Sequence, residues 1–144
     1  MPEKETLERA RKDKREGKAP STQAGEFVRE EIEHIREGKH GARSTKQAIA
    51  IGLSKARRAG VDLPPSEGSS EEVKEQARRD RRKGQSHQRP SATRSRATRK
   101  ALKREGHSAA SKTALSRQAR SAAKKRSAAS RSRSAKKAAA TRKK

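Results

Sequence analysis

The sequence contains no cysteine, no tyrosine and no tryptophan, and its single phenylalanine is Phe27. Without cysteine the chain can form neither a disulfide nor a thiolate metal site. Hydrophobic residues make up 26% of the chain, compared with roughly 45–50% in a typical globular protein. Little apolar surface is therefore available to offset the entropy of ordering the chain. We expect a small folded region in a mostly disordered or conditionally ordered protein.

Long apolar runs are absent as well, and the N-terminal residues carry mixed charge. Neither a membrane span nor a secretory signal is expected, so the predicted location is cytoplasmic. No strand pattern and no phosphate-binding glycine loop is apparent. His34, His40, His87 and His107 look scattered, without a ligand spacing to carboxylates. These absences predict no enzymatic activity, no cofactor and no metal site.

Positive charge is what the sequence has in excess, and it lies almost entirely in the second half. Residues 1–77 hold 16 Lys+Arg against 15 Asp+Glu, a net charge of +1. Residues 78–144 hold 25 Lys+Arg against two acids, Asp80 and Glu105, a net charge of +23. Blocks of like charge repel one another unless a polyanion neutralises them. The asymmetry therefore predicts binding to nucleic acid.

The expected mechanism is counterion release, in which each cation that neutralises a phosphate frees a condensed counterion. Nothing in the tail is rigid enough to read base edges, so binding without sequence preference is expected. The predicted phosphate contacts are Arg78, Arg79, Arg81, Arg82, Lys83, Arg94, Arg96, Arg99, Lys100, Lys103, Arg104, Arg117, Arg120, Lys124, Lys125, Arg126, Arg131, Arg133, Lys136 and Lys137. Secondary candidates are Lys39, Arg43, Lys46, Arg57 and Arg58.

The partner is predicted to be double-stranded DNA, which the protein would compact as a nucleoid-associated protein. RNA is less favoured because single-stranded RNA is normally bound through aromatic stacking, and the tail has no aromatic residue. An RNA- or ribosome-binding protein remains an alternative, as does a protein-interaction module with a localising tail. No membrane partner is expected, because Leu102 and Leu115 are the only bulky apolar residues of the second half.

The hydrophobic pattern predicts an all-α fold with one small helical hairpin. Helices are expected over about 22–37 and 45–59, each with an apolar stripe at helical spacing. Ser21 or Thr22 is predicted to cap the first helix. The hairpin would pack within one chain or form half of a homodimer, since it is too small to be stable alone. Its predicted core is Val28, Ile32, Ile35, Ile49 and Leu53.

Ser44 and Gln47 form a predicted capping box at the start of the second helix. Gly38 and Gly60 follow the two helices at the positions where a left-handed residue ends a helix. Apolar Val61 comes directly after the second of them, as in a Schellman ending.

The chain divides into five predicted segments. They are a charged N-terminal segment (1–20), the hairpin (21–61), a linker (62–70), a polar helix (71–84) and a low-complexity basic tail (85–144). The helices that flank the hairpin are expected to be exposed, because they carry few apolar side chains. The tail is expected to be largely disordered, with 91–105 and 108–129 able to become helical on phosphates.

The segment from Ser44 to Gly60, STKQAIAIGLSKARRAG, resembles the signature of a family of small basic bacterial and phage proteins. The FVRE and EGK sequences before it fit the same pattern, so the resemblance covers about 24–61. The shared domain of that family has no known function, and the resemblance implies no catalytic or binding residue. The tail segments SAAKKR and SAKKAAA resemble the tails of linker histones and bacterial histone-like proteins. This second resemblance implies a histone-like role.

Overall fold

The computed structural model describes residues 2–66, 68–86 and 89–143. These residues form seven α-helices and a short 3₁₀ turn, and no strand is found among them. The predicted all-α class is therefore confirmed. His87 in the predicted tail and Glu67 in the predicted linker lie outside the described residues. No helix within these ranges is long and apolar enough to cross a membrane.

The first helix, α1 (Lys4–Arg15), packs against α2 (Pro20–Arg36). Ala10 is buried between the two helices, where its small side chain allows a close approach. The Glu30 carboxylate of α2 accepts the backbone N–H of Glu3 at 2.6 Å. The prediction of an exposed helix without a buried face is therefore wrong for α1. Polar groups of α2 form hydrogen bonds with the N-terminal end of α1. Hydrophobic periodicity in the sequence does not predict such contacts.

The hairpin consists of α2 and α3 (Thr45–Arg58), whose backbones come into close contact at Gly52. A Cβ atom placed on Gly52 would lie 2.6 Å from the Cα atom of Val28. The absence of a side chain at this position therefore allows the two backbones to meet. Gly38, with φ of +79°, lies just after the end of α2 as predicted.

The N-terminal ends of the two hairpin helices are built differently. Helix α2 begins with Pro20 and has no side-chain cap, so the predicted caps Ser21 and Thr22 lie inside the helix. Proline suits this position because its fixed φ is helical and its missing N–H would have no partner there. At α3 the Ser44 Oγ accepts the N–H of Gln47 at 3.1 Å, which confirms the Ser44 half of the predicted capping box. The Gln47 side chain reaches one residue further back and accepts the N–H of Arg43 at 2.6 Å.

The end of α3 follows the prediction closely. Gly60 has φ of +100°, and the N–H of Val61 reaches back to the carbonyl oxygen of Ala56 at 3.0 Å. This bond satisfies a carbonyl that would otherwise have no helical partner. Val61 is itself buried, so the helix stop also contributes to the core.

Helix α4 (Glu71–Ser86) packs on the outer side of α3. Its buried residues include Ala77 and Asp80, so it too differs from the exposed polar helix that was expected. It continues through Gly84, the predicted stop, because that glycine lies inside the contact with α3. A Cβ atom at Gly84 would be 2.1 Å from the carbonyl oxygen of Arg57.

The described residues of the predicted tail form three further helices, α5 (Ala92–Lys103), α6 (Lys112–Lys124) and α7 (Ala128–Arg142). A 3₁₀ turn (Ser108–Ala110) precedes α6. The two segments predicted to be able to form helix contain α5 and α6, whereas α7 lies almost wholly beyond them. Disorder of the tail in the absence of nucleic acid stays a prediction.

Two apolar clusters hold the hairpin and its neighbours together. The first lies at the loop end of the hairpin and comprises Ile32, Ile35, Ala42, Ala48, Ala109 and Ala110, with Val28 and Leu115 packed against it. The second lies between α1, α2 and α3 and comprises Ala10, Ala24, Phe27, Ala56 and Val61, with Leu7, Leu53 and Leu63 packed against it. Of the predicted hairpin core, Ile32 and Ile35 are buried and Val28, Ile49 and Leu53 are half-buried. The core is shared with α1 and with part of the tail, and the hairpin does not form it alone.

The segment from Leu102 to Leu115 is the part of the tail that packs on the hairpin. The N–H groups of Gly41 and Ala42 donate to the carbonyl oxygens of Leu102 and Gly106, at 2.9 and 3.0 Å. The hydroxyl of Thr45 donates to the carbonyl of residue 109 at 2.7 Å. We name residues 102–115 the docking segment.

Candidate nucleic-acid interface

Serine residues begin two of the tail helices. The Ser111 Oγ accepts the N–H of Ala114 at 3.1 Å at the start of α6. The Ser127 Oγ accepts the N–H of Ser130 at 3.1 Å at the start of α7. A cap of this kind contributes about 1 kcal/mol, which helps a helix to form in spite of repulsion among its cations. The caps and the high alanine content explain why segments of like charge are helical.

Within the part of the chain that the structure describes, the cations of α5, α6 and α7 have no carboxylate partner. In the described ranges every ion pair joins residues between Glu3 and Arg81. The three helices contain no acidic residue, and Glu105 is the only acid beyond Asp80. Their positive charge therefore remains available to an external anion.

The predicted phosphate contacts are distributed over four helices and the turns between them. With one exception, Arg81, they are exposed. Arg79 donates to the Glu75 carboxylate at 2.6 Å, and this hydrogen bond is the main cause that lowers the pKa of Glu75. Arg81 forms an ion pair with Asp62. These two arginines are poorer candidates than the others, because a phosphate would have to displace a carboxylate from each.

Asp80, one of the two acids of the basic half, is structural. Its carboxylate is buried and accepts hydrogen bonds from Ser54 at 2.7 Å and from the Arg58 guanidinium at 2.9 Å. Gln76 donates to the same carboxylate at 3.2 Å. Asp80 therefore neutralises charge at the α3–α4 contact and does not neutralise the exposed cations of the tail.

The secondary candidates on the hairpin divide into two groups. Arg43 and Lys46 are exposed next to the N-terminal end of α3, where a helix end also attracts anions. Lys39 forms ion pairs with Glu3 and Glu37, and Arg58 pairs with Asp80. Arg57 is buried, its guanidinium donates to the carbonyl of residue 63, and burial is the main cause that lowers its pKa. Only Arg43 and Lys46 fit a phosphate contact in this arrangement.

In the sequence the four histidines look scattered, but the fold brings two of them together with a carboxylate. Ligand atoms of Glu31, His34 and His40 all lie within 4.8 Å of one another. Glu31 and His34 are three residues apart on α2, which places them on one face of the helix. His40 lies in the loop after α2, and the fold of that loop brings its side chain back to Glu31 and His34. No spacing in the sequence predicts this contact. The prediction of scattered histidines is wrong for this pair.

The profile of a family of unknown function, DUF6496, matches residues 21–67. The matched segment is about a third of the chain and contains α2, α3 and the start of the linker. It agrees with the resemblance of the hairpin to a family whose shared domain has no known function. No curated protein and no solved structure matches the chain.

Proposed function

We propose that the protein binds nucleic acid, foremost double-stranded DNA, without sequence preference and through the cations of its C-terminal half. The observation that carries this proposal is the separation of charge into two regions. In the described residues about half of the Lys and Arg side chains of residues 1–77 are paired with acids, whereas those of α5–α7 have no acidic partner. Histone-like compaction of DNA in the nucleoid is the role that this charge distribution supports best.

Helical order would give these cations a defined spacing. A helix rises 1.5 Å per residue, and duplex DNA carries one charge per about 1.7 Å of its axis. A helix with cations on several sides can therefore meet phosphates of a duplex along its length. The exposed turn between α6 and α7 would let α7 follow a curved backbone beyond α6.

The expected energetics are those of counterion release. If about ten of the 25 cations in residues 78–144 contact phosphates at once, the logarithm of affinity falls with the logarithm of salt concentration with a slope near −9. No single side chain dominates such binding. Loss of one contact would reduce the slope by about 0.9 and leave the complex intact.

Duplex DNA is the favoured ligand over RNA on one specific ground. Single-stranded RNA binding commonly uses aromatic side chains as stacking platforms. The only aromatic ring outside the histidines, Phe27, is buried between α1, α2 and α3. No such platform is available on the basic helices, so contacts to the phosphate backbone are what remain.

The test is a fluorescence-anisotropy titration of the full chain against two duplex DNAs of unrelated sequence and one structured RNA. Each titration is repeated from low to high salt. Equal affinity for the two duplexes, weaker binding of the RNA and a steep salt slope would support the proposal. A preference for one duplex by more than about tenfold, which is 1.4 kcal/mol, would point to the hairpin as a sequence reader instead. Tighter binding of RNA would favour the ribosome- or RNA-binding alternative.

A further inference from the structure

Glu31 is a buried carboxylate with one satisfied oxygen and one unsatisfied oxygen. Its side chain is 1% exposed, and Lys55 of α3 forms an ion pair with Oε1. Within the described residues Oε2 has no hydrogen-bond partner. It lies 3.0 Å from Nε2 of His40, but outside hydrogen-bond geometry. A buried carboxylate oxygen without a donor is costly, so a cation at this position would be stabilising.

The hydrogen bond between His40 Nδ1 and the backbone determines the protonation of the other ring nitrogen, Nε2, which faces Glu31. Nδ1 of His40 lies 2.9 Å from the carbonyl oxygen of Gly41, and a carbonyl can only accept. Nδ1 therefore carries the proton, and the neutral ring presents the lone pair of Nε2 to the carboxylate. Two lone pairs 3.0 Å apart repel each other unless a proton or a metal ion lies between them.

His34 is oriented in the same manner by Glu3. Nε2 of His34 lies 2.9 Å from Oε1 of Glu3, whose carboxylate can only accept, so Nε2 carries the proton. The lone pair of Nδ1 is then left for another partner. The rings of His34 and His40 are 6.2 Å apart between centroids and nearly perpendicular, at 86°. A ring nitrogen of each histidine and a carboxylate oxygen of Glu31 lie within 4.8 Å of one another, so the two rings face a common region beside Glu31.

In each of the three side chains, one polar atom is held by a neighbouring group and the other is left as a possible metal ligand. Lys55 holds Glu31, Glu3 holds His34 and the Gly41 carbonyl holds His40. Metal-binding histidines almost always donate their second nitrogen to a carboxylate or a backbone carbonyl in this way. Imidazole with one carboxylate suits Zn²⁺ and its transition-metal neighbours, and does not suit Mg²⁺ or Ca²⁺.

We propose that Glu31 Oε2, His34 Nδ1 and His40 Nε2 bind a transition-metal ion such as Zn²⁺, with one coordination position left open. His34 and His40 are 14% and 11% exposed, so the ion would be sheltered but reachable from solvent. The ion would join α2 to the loop that contacts the docking segment. Metal binding would thereby stabilise the attachment of the basic helices to the hairpin.

A second group, Glu3, Glu30 and His34, also brings ligand atoms within 4.8 Å. It shares His34 with the first group and offers only one imidazole. In that group the closest contact, Glu3 to His34, is already satisfied as a hydrogen bond at 2.9 Å. Glu30 accepts the N–H of Glu3 with Oε1, while its Oε2 is buried and, among the described residues, has no hydrogen-bond partner. The second imidazole is what favours the group of Glu31, His34 and His40 as the site, and Glu3 is then an outer partner.

The test is calorimetric titration of Zn²⁺ into the untagged full chain. We expect one ion per chain, and a loss of affinity of about tenfold or more in His40→Gln and in Glu31→Gln. His107→Gln is the matched control, because this exposed histidine belongs to neither group. Glu3→Gln should weaken binding by about tenfold, as removal of an outer partner does. Circular dichroism of each variant reports whether the helices are retained.

Histidine-ring NMR of the unchanged protein gives an answer that needs no variant. Addition of Zn²⁺ should shift two of the four histidine ring signals, and Co²⁺ in its place should give visible d–d absorption. The proposal is overturned if Zn²⁺ does not bind, or if His107→Gln weakens binding as much as His40→Gln. It is also overturned if all four ring signals move together, since the ion would then be binding scattered surface histidines.

Discussion

At the scale of single residues, glycine positions decide how closely the helices pack. Gly52 lies in the contact between α2 and α3, whereas a Cβ atom at Gly25 of α2 would meet nothing within 4 Å. Helical glycine lowers stability relative to alanine when space is available, because it has more conformational freedom to lose. The same substitution should therefore have opposite effects at the two positions.

We expect Gly52→Ala to destabilise the protein by about 1–2 kcal/mol, since the added methyl clashes with the backbone at Val28. Gly25→Ala should stabilise it by about 0.5–1 kcal/mol. Chemical denaturation followed by circular dichroism measures both. Equal effects of the two substitutions would show that α2 and α3 do not pack as described.

Asp80 supplies a second prediction at this scale. Its side chain is 1% exposed and paired with Arg58, whereas Asp62, paired with Arg81, is 76% exposed. Removal of a buried carboxylate leaves its donors without a partner, so Asp80→Ala should cost about 2–3 kcal/mol, with some allowance for the partly exposed Arg58. Asp62→Ala should cost less than about 1 kcal/mol. Denaturation midpoints of the two variants provide the comparison, and similar losses would argue against a buried Asp80.

At the scale of elements, the sequence is sufficient to place the hairpin helices and insufficient to predict how the neighbouring helices pack on them. The caps and stops of α3 leave clear local signals, because Ser44, Gln47 and Gly60 each perform a task that few residue types can do. The apolar stripe of α2 identifies Ile32 and Ile35 for the same reason. These features are local, so one stretch of sequence carries all the information.

The contacts of α1, α4 and the docking segment depend on small or polar side chains. Ala109 and Ala110 are buried against Ile35, yet nothing distinguishes them from the many other alanines of the tail. Glu31 and Asp80 are buried charges in a chain that is 40% charged. Hydrophobic periodicity cannot detect such contacts, because they rest on shape and on partners distant in sequence.

The docking segment can be tested at its tightest point. A Cβ atom at Gly41 would lie 2.1 Å from the carbonyl oxygen of Glu105, whereas one at Gly106 meets nothing within 4 Å. We expect Gly41→Ala to release the segment, with faster hydrogen exchange at the N–H of Ala42, which donates to residue 106. Gly106→Ala, on the docking-segment side of the same contact, should leave that exchange rate unchanged. Unchanged exchange in both variants would contradict the docked arrangement.

At the scale of the whole molecule, the chain joins a charge-balanced body to a strongly cationic half. The body contains nearly all of the acids, and most of them are used to pair its own cations. The charge asymmetry between the two halves can be predicted from the sequence, because it depends on composition alone. The sequence does not show which cations are paired with acids. The structure is needed to separate Arg58, Arg79 and Arg81, which form ion pairs, from the cations that do not.

The central claim is that the cations of the tail helices contact phosphates, and two matched variants test it most directly. One replaces Arg131, Arg133, Lys136 and Lys137 of α7 by glutamine. The other replaces Arg11, Lys12, Lys14 and Arg15 of α1, so that both lose four exposed positive charges from one helix. Glutamine retains the helix propensity of the residues replaced.

The measurement is the slope of log affinity for duplex DNA against log salt concentration, for the full chain and for the two variants. Each lost contact reduces the slope by about 0.9, so the α7 variant should lose up to about 3.6 and the α1 variant almost nothing. Equal losses in the two variants would mean that net charge alone attracts DNA. A loss confined to the α1 variant would place the interface on the other half of the molecule and contradict the account.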